Sequence, residues 1–136
     1  MAIRIDASYR DFGEFAAVGA GAVLGAWLRW GFSTWLNPRV AHFPLGTLAS
    51  NLVGGYLVGF AVAYFLVRHD LPPHWRLFVV TGFLGALTTF STFSAEVTEL
   101  LAQGQYGAGV LLAATHLAGS LLLTAAGFAT FRALAT

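Results

Sequence analysis

The chain has 136 residues, of which 57% are hydrophobic and only 10% are charged, and it contains no cysteine. Soluble proteins use roughly 25% charged residues, so this chain has too few charges to cover a globular surface. A soluble enzyme, a disordered tail and a nucleic-acid binder are excluded on this ground. The net charge of +1 gives no reason to expect a nucleic-acid partner. Without cysteine there are no disulfides, thiol catalysis or thiolate metal sites.

Long stretches without Asp, Glu, Lys or Arg dominate the sequence, and they cover residues 40–67, 77–95 and 100–131. A transmembrane helix needs ~20 apolar residues, and an earlier apolar span interrupted by Arg29 is also long enough. Continuous apolar runs favour helices, because membrane strands alternate with period two. We therefore predict an all-α membrane protein with one transmembrane domain over residues 1–136, its helices at about 12–36, 45–67, 75–101 and 106–134.

Prolines and tryptophans mark the ends of these spans. The first should stop at Asn37-Pro38 and the second should begin after Pro44, because proline removes a backbone donor and disfavours helix in the residue before it. The tryptophans at 27, 30, 35 and 75 lie near span ends, as interfacial aromatics do. Arg4 and Arg10 precede an apolar stretch, but no convincing cleavage site follows, so we do not expect a cleaved signal peptide.

Arginine positions give a modest indication of orientation. Four helices with short loops place one group of arginines on one side of the membrane, namely Arg4, Arg10, Arg68, Arg76 and Arg132. The other side has Arg39, together with Arg29 if that residue lies near the interface. The positive-inside rule then puts both termini in the cytoplasm.

Small residues recur at spacing four on the first two helices. The second helix carries Gly46, Ser50 and Gly54, with Asn51, Gly55, Gly59 and Ala63 alongside; the first carries Ala17, Gly21 and Gly25. Such residues let helix backbones approach closely in lipid. The pattern fits packing within one chain and equally fits a face for a second subunit. Four helices enclose too little volume for a water-lined pathway, so a transporter of this size should be oligomeric.

Polar residues inside the spans are the candidate functional groups. Asn51 lies one turn after Thr47, and a buried amide must be paired, so Asn51 either joins helices or donates to a permeant ion. Residues 81–94 contain two glycines and six hydroxyl residues, which favours a broken third helix over a merely kinked one. A break exposes carbonyl oxygens that hold cations and N–H groups that hold anions.

Phe90 and Phe93 are three residues apart and share a helical face. They are either core or lipid-facing residues, or their positive ring edges face an anion in a pore. Glu96 and Glu99 follow near the end of the span, as interfacial anchors or as part of a gate or vestibule. Arg29 either pairs with a glutamate or attracts anions into a vestibule.

The fourth helix carries a polar stripe at spacing four, His116, Ser120 and Thr124. It is either a helix contact or the facing wall of the same pathway. His116 has no further metal-ligating side chain at a suitable spacing on its helix, so it does not indicate a metal site. The His116–Ser120 pair is a poor nucleophile and base, because they are one turn apart with no evident oxyanion site. The chain is therefore not expected to be an enzyme.

Taken together, three motifs resemble the Fluc (CrcB) family of fluoride channels over nearly the whole chain. They are the stretch from Gly21 to Arg29, then Pro44-Leu45-Gly46-Thr47 with Asn51 four residues later, and Thr81-Gly82 through Ser94-Ala95-Glu96. The last motif is highly specific, whereas the first two would be weak alone.

The resemblance implies an antiparallel, dual-topology homodimer in the inner or plasma membrane of a prokaryote. It also implies passive fluoride export through two pores and a central structural sodium ion held by the backbone carbonyls of Gly85 and Thr88 from each subunit. Phe90 and Phe93 would present ring edges to fluoride, and Asn51 would donate to it. The hydroxyl track would come from Thr47, Ser91, Thr92 and Ser94. Arg29 would lie at a vestibule.

Two other functions fit parts of the sequence. A small antiparallel multidrug or cation exporter needs a membrane-embedded carboxylate, and the acids here lie near span ends. A non-transporting scaffold subunit would need only the small-residue faces. The arginine bias, five against two, also conflicts with dual topology, which predicts little bias.

Overall fold

The computed structural model describes residues 7–40 and 43–135, with side chains from Phe12 onward. All regular secondary structure in this part of the chain is helical, and it contains no strand. Four segments are long and apolar enough to cross a membrane, Phe12–Arg39, Leu45–Val67, Pro73–Ala102 and Tyr106–Leu134. The predicted all-α architecture with four membrane-crossing helices is confirmed. Arg4 and the side chain of Arg10, which the orientation prediction used, lie outside the described part.

The helices, in chain order, are α1 (Ala7–Leu36), α2 (Leu45–Val67), α3 (Pro73–Arg76), α4 (Gly85–Leu87), α5 (Phe90–Ala102) and α6 (Tyr106–Leu134). A 3₁₀ turn (Asn37–Arg39) follows α1, and a π-helical segment (Leu77–Leu84) joins α3 to α4. At 1.5 Å per residue, the 23 residues of α2 extend about 35 Å. This exceeds the ~30 Å of a bilayer core. α1 begins earlier than predicted because a helix can continue into polar sequence beyond the apolar stretch on which the prediction was based.

Local sequence explains where most helices end. α1 stops before Asn37-Pro38, and the Asn37 side chain accepts a hydrogen bond from Gly46 N–H at 2.7 Å, which satisfies a free amide at the start of α2. α5 ends in a Schellman motif around Gly104, whose φ of 74° is in the left-handed region that glycine tolerates. There Gln105 N–H donates to Leu100 O at 2.9 Å and Gly104 N–H donates to Leu101 O at 3.0 Å.

The helices pack as two close pairs, α1 against the π-helical segment and α2 against α6. Glycines lie at both contacts. A Cβ added to Gly21 or Gly25 would meet the carbonyl oxygens of Phe78 or Phe83, and one added to Gly59 would meet that of Thr124. The small-residue faces predicted on α1 and α2 are therefore used, at these positions, for packing within the chain.

The loop between α2 and α3 carries an ion pair outside the membrane-crossing segments. Arg68 Nε and Nη2 each donate to a different carboxylate oxygen of Asp70 at 2.9 Å. This hydrogen bonding lowers the pKa of Asp70 to about 2, and it raises the pKa of the Arg68 guanidinium. Both side chains are exposed, so the pair fixes the loop more than it stabilises the fold.

Candidate functional site

The third membrane-crossing segment is broken at two residues. Thr88 (φ −84°, ψ 150°) and Thr89 (φ −150°, ψ 119°) have extended backbones between α4 and α5. Thr88 N–H still donates to Leu84 O at 3.0 Å, but the next amide turns away from the helix. The predicted break in the third helix is present, and it lies inside the glycine- and hydroxyl-rich segment that indicated it.

Asn51 on α2 satisfies the backbone of this break. Thr89 N–H donates to Asn51 Oδ1 at 2.7 Å, and Asn51 Nδ2 donates back to Thr89 O at 3.0 Å. Asn51 Nδ2 also lies 3.0 Å from His116 Nδ1 on α6. One amide side chain thus joins the break to two other helices. Of the two roles considered for Asn51, the structure shows the link between helices, and a contact with a permeant ion stays a prediction.

Threonine and serine hydroxyls surround the start of α5. Thr89 is its N-cap, and its Oγ1 accepts from Thr92 N–H at 3.2 Å. The same hydroxyl lies 3.2 Å from Ser91 Oγ and 3.2 Å from Thr92 Oγ1. Ser91, Thr92 and Ser94 are all exposed on this single chain. A row of polar groups therefore faces outward from a segment otherwise suited to lipid.

Three rings lie in a row beside these hydroxyls, those of Phe90, Phe93 and His116. The Phe90 and Phe93 ring centroids are 5.3 Å apart with planes inclined at 66°, an edge-to-face arrangement. The Phe93 and His116 centroids are 4.6 Å apart with planes at 30°. Phe90 is 79% exposed, whereas His116 is 3% exposed. Phe93 thus connects an outward-facing ring to a buried imidazole.

The polar stripe of α6 faces α2. Thr124 Oγ1 donates to Gly55 O at 3.0 Å. Ser120 lines an open groove of about 310 Å³ between α2, α6 and the break; it is bounded by Asn51, Gly55, Val58, Thr88, Thr89, Phe90 and Ser120. All three predicted stripe residues thus contact α2 or lie in a groove that it lines, and Asn51 is common to the groove and the hydrogen-bond network.

Glu96 and Thr47 form a second polar contact, which lies outside the groove beside the break. Thr47 Oγ1 donates to Glu96 Oε1 at 2.5 Å, a short hydrogen bond between two oxygens. Glu96 Oε2 is buried and has no partner among the described residues. Both Glu96 and Glu99 line a cavity of about 240 Å³ that also includes Asn37 and Gln103. Sequence reasoning had not linked Thr47 with Glu96.

Arg29 is not brought to either place. It is half-buried on α1 and lines neither the groove nor the acidic cavity. Among the described side chains, residues 12–40 and 43–135, it forms no ion pair, so a pairing with a glutamate is not seen there. Its predicted position at a vestibule stays a prediction.

Sequence reasoning missed two residues. Thr89 was read as part of a hydroxyl-rich segment, yet it is the N-cap of α5 and the backbone partner of Asn51. The preference for threonine at N-caps, directly before Phe90, could have found the first role. Asn37 was read only as a stop signal, and its capping of Gly46 depends on how the chain returns.

The fold and the site define a multi-pass helical membrane protein whose third span is broken around a polar network. A family model described as CrcB-like protein, Camphor Resistance (CrcB), matches residues 16–128. A relative from Cupriavidus metallidurans, called "Fluoride-specific ion channel FluC", is 62% identical over 121 residues, 89% of this chain and 96% of the relative. A relative of the same name from Thiobacillus denitrificans is 56% identical over 114 residues, which cover 84% of this chain and 92% of the relative. Another from Nitrosospira multiformis is 57% identical over 119 residues, which cover 88% of this chain and 93% of the relative. The chain belongs to the CrcB-like family.

Proposed function

We propose that this protein is a passive, fluoride-selective channel rather than an enzyme. The observation that carries the proposal is the broken third span. Hydroxyl groups and the edge-to-face rings of Phe90 and Phe93 lie beside the break, and Asn51 accepts the hydrogen bond of its free backbone amide. Polar groups at membrane depth are tolerated where protein or a water-lined path surrounds them. The family supports the ion, because relatives covering most of this chain are called fluoride-specific channels.

The chemistry of the site suits a small, strongly hydrated anion. A channel must replace the hydration shell of the ion and still release it. Ser91, Thr92 and Ser94 offer hydroxyl donors, and the Phe90 and Phe93 rings have positive edges. None of the described residues that line the groove beside the break is Lys or Arg, so the ion would not be trapped there by a fixed ammonium or guanidinium charge.

The exposed polar row supports a second copy as partner. Ser91, Thr92 and Ser94 would meet lipid in a lone chain, as would the backbone near Gly85, which is also exposed. We propose that a second copy, inserted antiparallel, covers this face and completes two pores. The remaining exposed apolar side chains, such as Leu117, Leu121 and Leu122 on α6, suit lipid contact.

A structural sodium ion at the dimer centre belongs to the same proposal. In a continuous helix the Gly85 carbonyl would accept from Thr89 N–H, but that amide donates to Asn51 instead. A carbonyl released in this way is the oxygen ligand that helix breaks offer to Na⁺. Gly85 and Thr88 from both copies would hold the ion, which would supply positive potential near the anion path.

Fluoride efflux from proteoliposomes tests the function. Vesicles loaded with fluoride should release fluoride with no imposed proton gradient. Vesicles loaded with chloride should release chloride far more slowly. A proton-coupled exporter would instead need the gradient, and a scaffold subunit would release neither ion. Equal fluoride and chloride release would contradict the proposal. We place the channel in the inner or plasma membrane of a prokaryote, where fluoride export would act.

A ring substitution tests the aromatic contribution. Phe93→Ile should lower fluoride efflux about tenfold or more, because it removes a positive ring edge while keeping an apolar side chain. Phe131→Ile is a matched control, since Phe131 also makes an edge contact in a span, with Phe60 at 5.6 Å. Equal efflux from both variants would remove the ring-edge argument.

Cysteine labelling tests the dual insertion. The chain has no cysteine, so His69→Cys and Gln103→Cys each give one label, in loops on opposite sides of the membrane. Each should react partly with an impermeant reagent from outside and fully after permeabilisation. Complete labelling of one variant and none of the other would refute antiparallel copies without bearing on fluoride transport.

A further inference from the structure

The hydrogen bonds around Asn51 determine which way its amide points. Thr89 N–H can only donate, so the atom 2.7 Å from it must be the acceptor Oδ1. The other end of the amide is therefore Nδ2, and one of its hydrogens goes to Thr89 O at 3.0 Å. The backbone of the break thus fixes the Asn51 side chain in one orientation.

This orientation in turn determines the proton position on His116. The second hydrogen of Asn51 Nδ2 faces His116 Nδ1 at 3.0 Å. An amide nitrogen donates and does not accept, so Nδ1 must be the acceptor. A neutral imidazole with an accepting Nδ1 carries its proton on Nε2. Both Asn51 hydrogens are then used in hydrogen bonds within the chain.

The Nε2–H group that results has no partner in the part of the chain that the structure describes. His116 is 3% exposed, and its Nε2 is buried without a hydrogen bond among the described residues. Unpaired buried donors are rare in folded proteins and call for an explanation. This donor belongs to a ring that stacks on Phe93, with centroids 4.6 Å apart, next to the hydroxyls of α5.

We propose that His116 Nε2–H donates a hydrogen bond to the permeating anion, and that Asn51 is a positioning residue that holds the imidazole in this tautomer. The inference rests on the proposed function and deepens it by assigning separate roles to two residues of one pathway. A neutral N–H donor fits the requirement for weak, reversible binding of fluoride. The coupling runs from the backbone of Thr89 through Asn51 to His116.

The tautomer is measurable without any transport assay. Replacing His42, His69 and His74 with glutamine leaves His116 as the single histidine, and ¹⁵N-labelled histidine then reports its protonated nitrogen by NMR. We expect Nε2–H, with a shift of the Nε2 signal on adding sodium fluoride and none on adding sodium chloride. Asn51→Asp, which cannot donate to Nδ1, should move the proton to Nδ1. Nδ1–H in the single-histidine chain, or an unchanged tautomer in Asn51→Asp, would overturn the inference.

Two substitutions of His116 separate its two nitrogens in efflux. His116→Gln keeps an N–H donor close to the Nε2 position, whereas His116→Asn keeps an acceptor for Asn51 but has no group at Nε2. We expect efflux through the Asn variant to fall about ten- to hundredfold below that through the Gln variant, the effect of one lost donor. Size-exclusion profiles check that both variants fold, and the NMR result decides if either does not.

The outcomes distinguish this inference from the proposed function. Absence of fluoride efflux from the unaltered protein would defeat the proposed function. Normal efflux from the unaltered protein together with equal efflux rates for the two His116 variants would defeat only the inference. Loss of efflux in His116→Gln with full efflux in His116→Asn would also defeat only the inference.

Discussion

In the amino-terminal half of the third span, Leu77–Leu84 packs backbone against backbone on α1, with Gly21 and Gly25 facing its carbonyl oxygens. In the carboxyl-terminal half, from Thr88 onward, the chain is joined to α2 and α6 by side-chain hydrogen bonds that meet at Asn51. The first contact depends on the absence of side chains and the second on particular polar ones.

The difference follows from what each half must satisfy in lipid. The π-helical segment keeps its backbone hydrogen bonds within the helix, so close packing is enough to hold it. The break at Thr88–Thr89 gives up helical hydrogen bonds, and lipid offers no replacement for them. Specific donors and acceptors must therefore come from neighbouring helices, and these are the groups that can also contact an ion.

The glycine contact should be the most sensitive to added bulk. Gly25→Ala would place a Cβ against the Phe83 carbonyl oxygen and 3.0 Å from Leu87 N, and backbone atoms cannot rotate away. We expect a loss in the free energy of unfolding that exceeds the ~1–3 kcal/mol typical of overpacked cores, because the contact is with backbone. Thermal unfolding in detergent and the monodisperse fraction on size exclusion measure it. Gly31→Ala, on the same helix with open space around it, should be neutral or slightly stabilising; similar losses in both variants would contradict the close-packing account.

Removing the amide should weaken the polar half while leaving the glycine contact intact. Asn51→Ala leaves the buried N–H and C=O of Thr89 without partners, at a cost of about 1–3 kcal/mol for each group. Unfolding in denaturant measures the loss. Asn37→Ala is a matched control, because it removes a single cap bond, to Gly46 N–H, and should cost only about 1 kcal/mol. An equal cost for the two variants would show that the break does not depend on Asn51.

The loss of the Thr47–Glu96 bond should cost less than the loss of Asn51, because one buried group rather than two is left without a partner. Thr47→Val removes the hydroxyl that donates to Glu96 Oε1, and Oε2 has no partner to compensate. We expect a loss of about 1–3 kcal/mol, the cost of leaving a buried polar group without its partner. Thr130→Val, whose hydroxyl donates only to Ala126 O of its own helix, should be nearly neutral. In a double-mutant cycle, adding Glu96→Gln should cost less than the sum of the single changes; strict additivity would mean that the two side chains do not interact.

The smallest effect is expected in the loop, away from both halves. The folded pKa of Asp70, about 2, is below its ordinary value of 3.8, so folding favours the ionised form. The stabilisation is therefore present above about pH 4 and decreases as the pH falls toward 2. Arg68→Gln should raise the Asp70 pKa toward 3.8, seen by NMR titration of the carboxyl carbon, and should leave fluoride efflux at neutral pH unchanged. A change in neutral-pH efflux would show that the loop is coupled to the pathway.

Much of the site could be anticipated because its signals are local. Two glycines and six hydroxyl residues within 81–94 contradict a continuous apolar helix, and the break is found among them. The π-helical geometry of Leu77–Leu84 had no signal of its own, since apart from Thr81 and Gly82 its residues are ordinary apolar ones. The Asn51–Thr89 pairing joins residues 38 positions apart, so no spacing rule within one helix could indicate it.

The sequence by itself determined that this chain is a four-helix membrane protein with a broken third span, because length, charge-free stretches and proline positions act locally. Only the tertiary structure decided where the polar groups are satisfied. Gly59 packs on α6, Thr47 meets Glu96, and Asn51 orients His116, because each depends on which helix faces which in the folded chain. In lipid every such group needs a partner, so the helix arrangement determines which polar residues remain available to an ion.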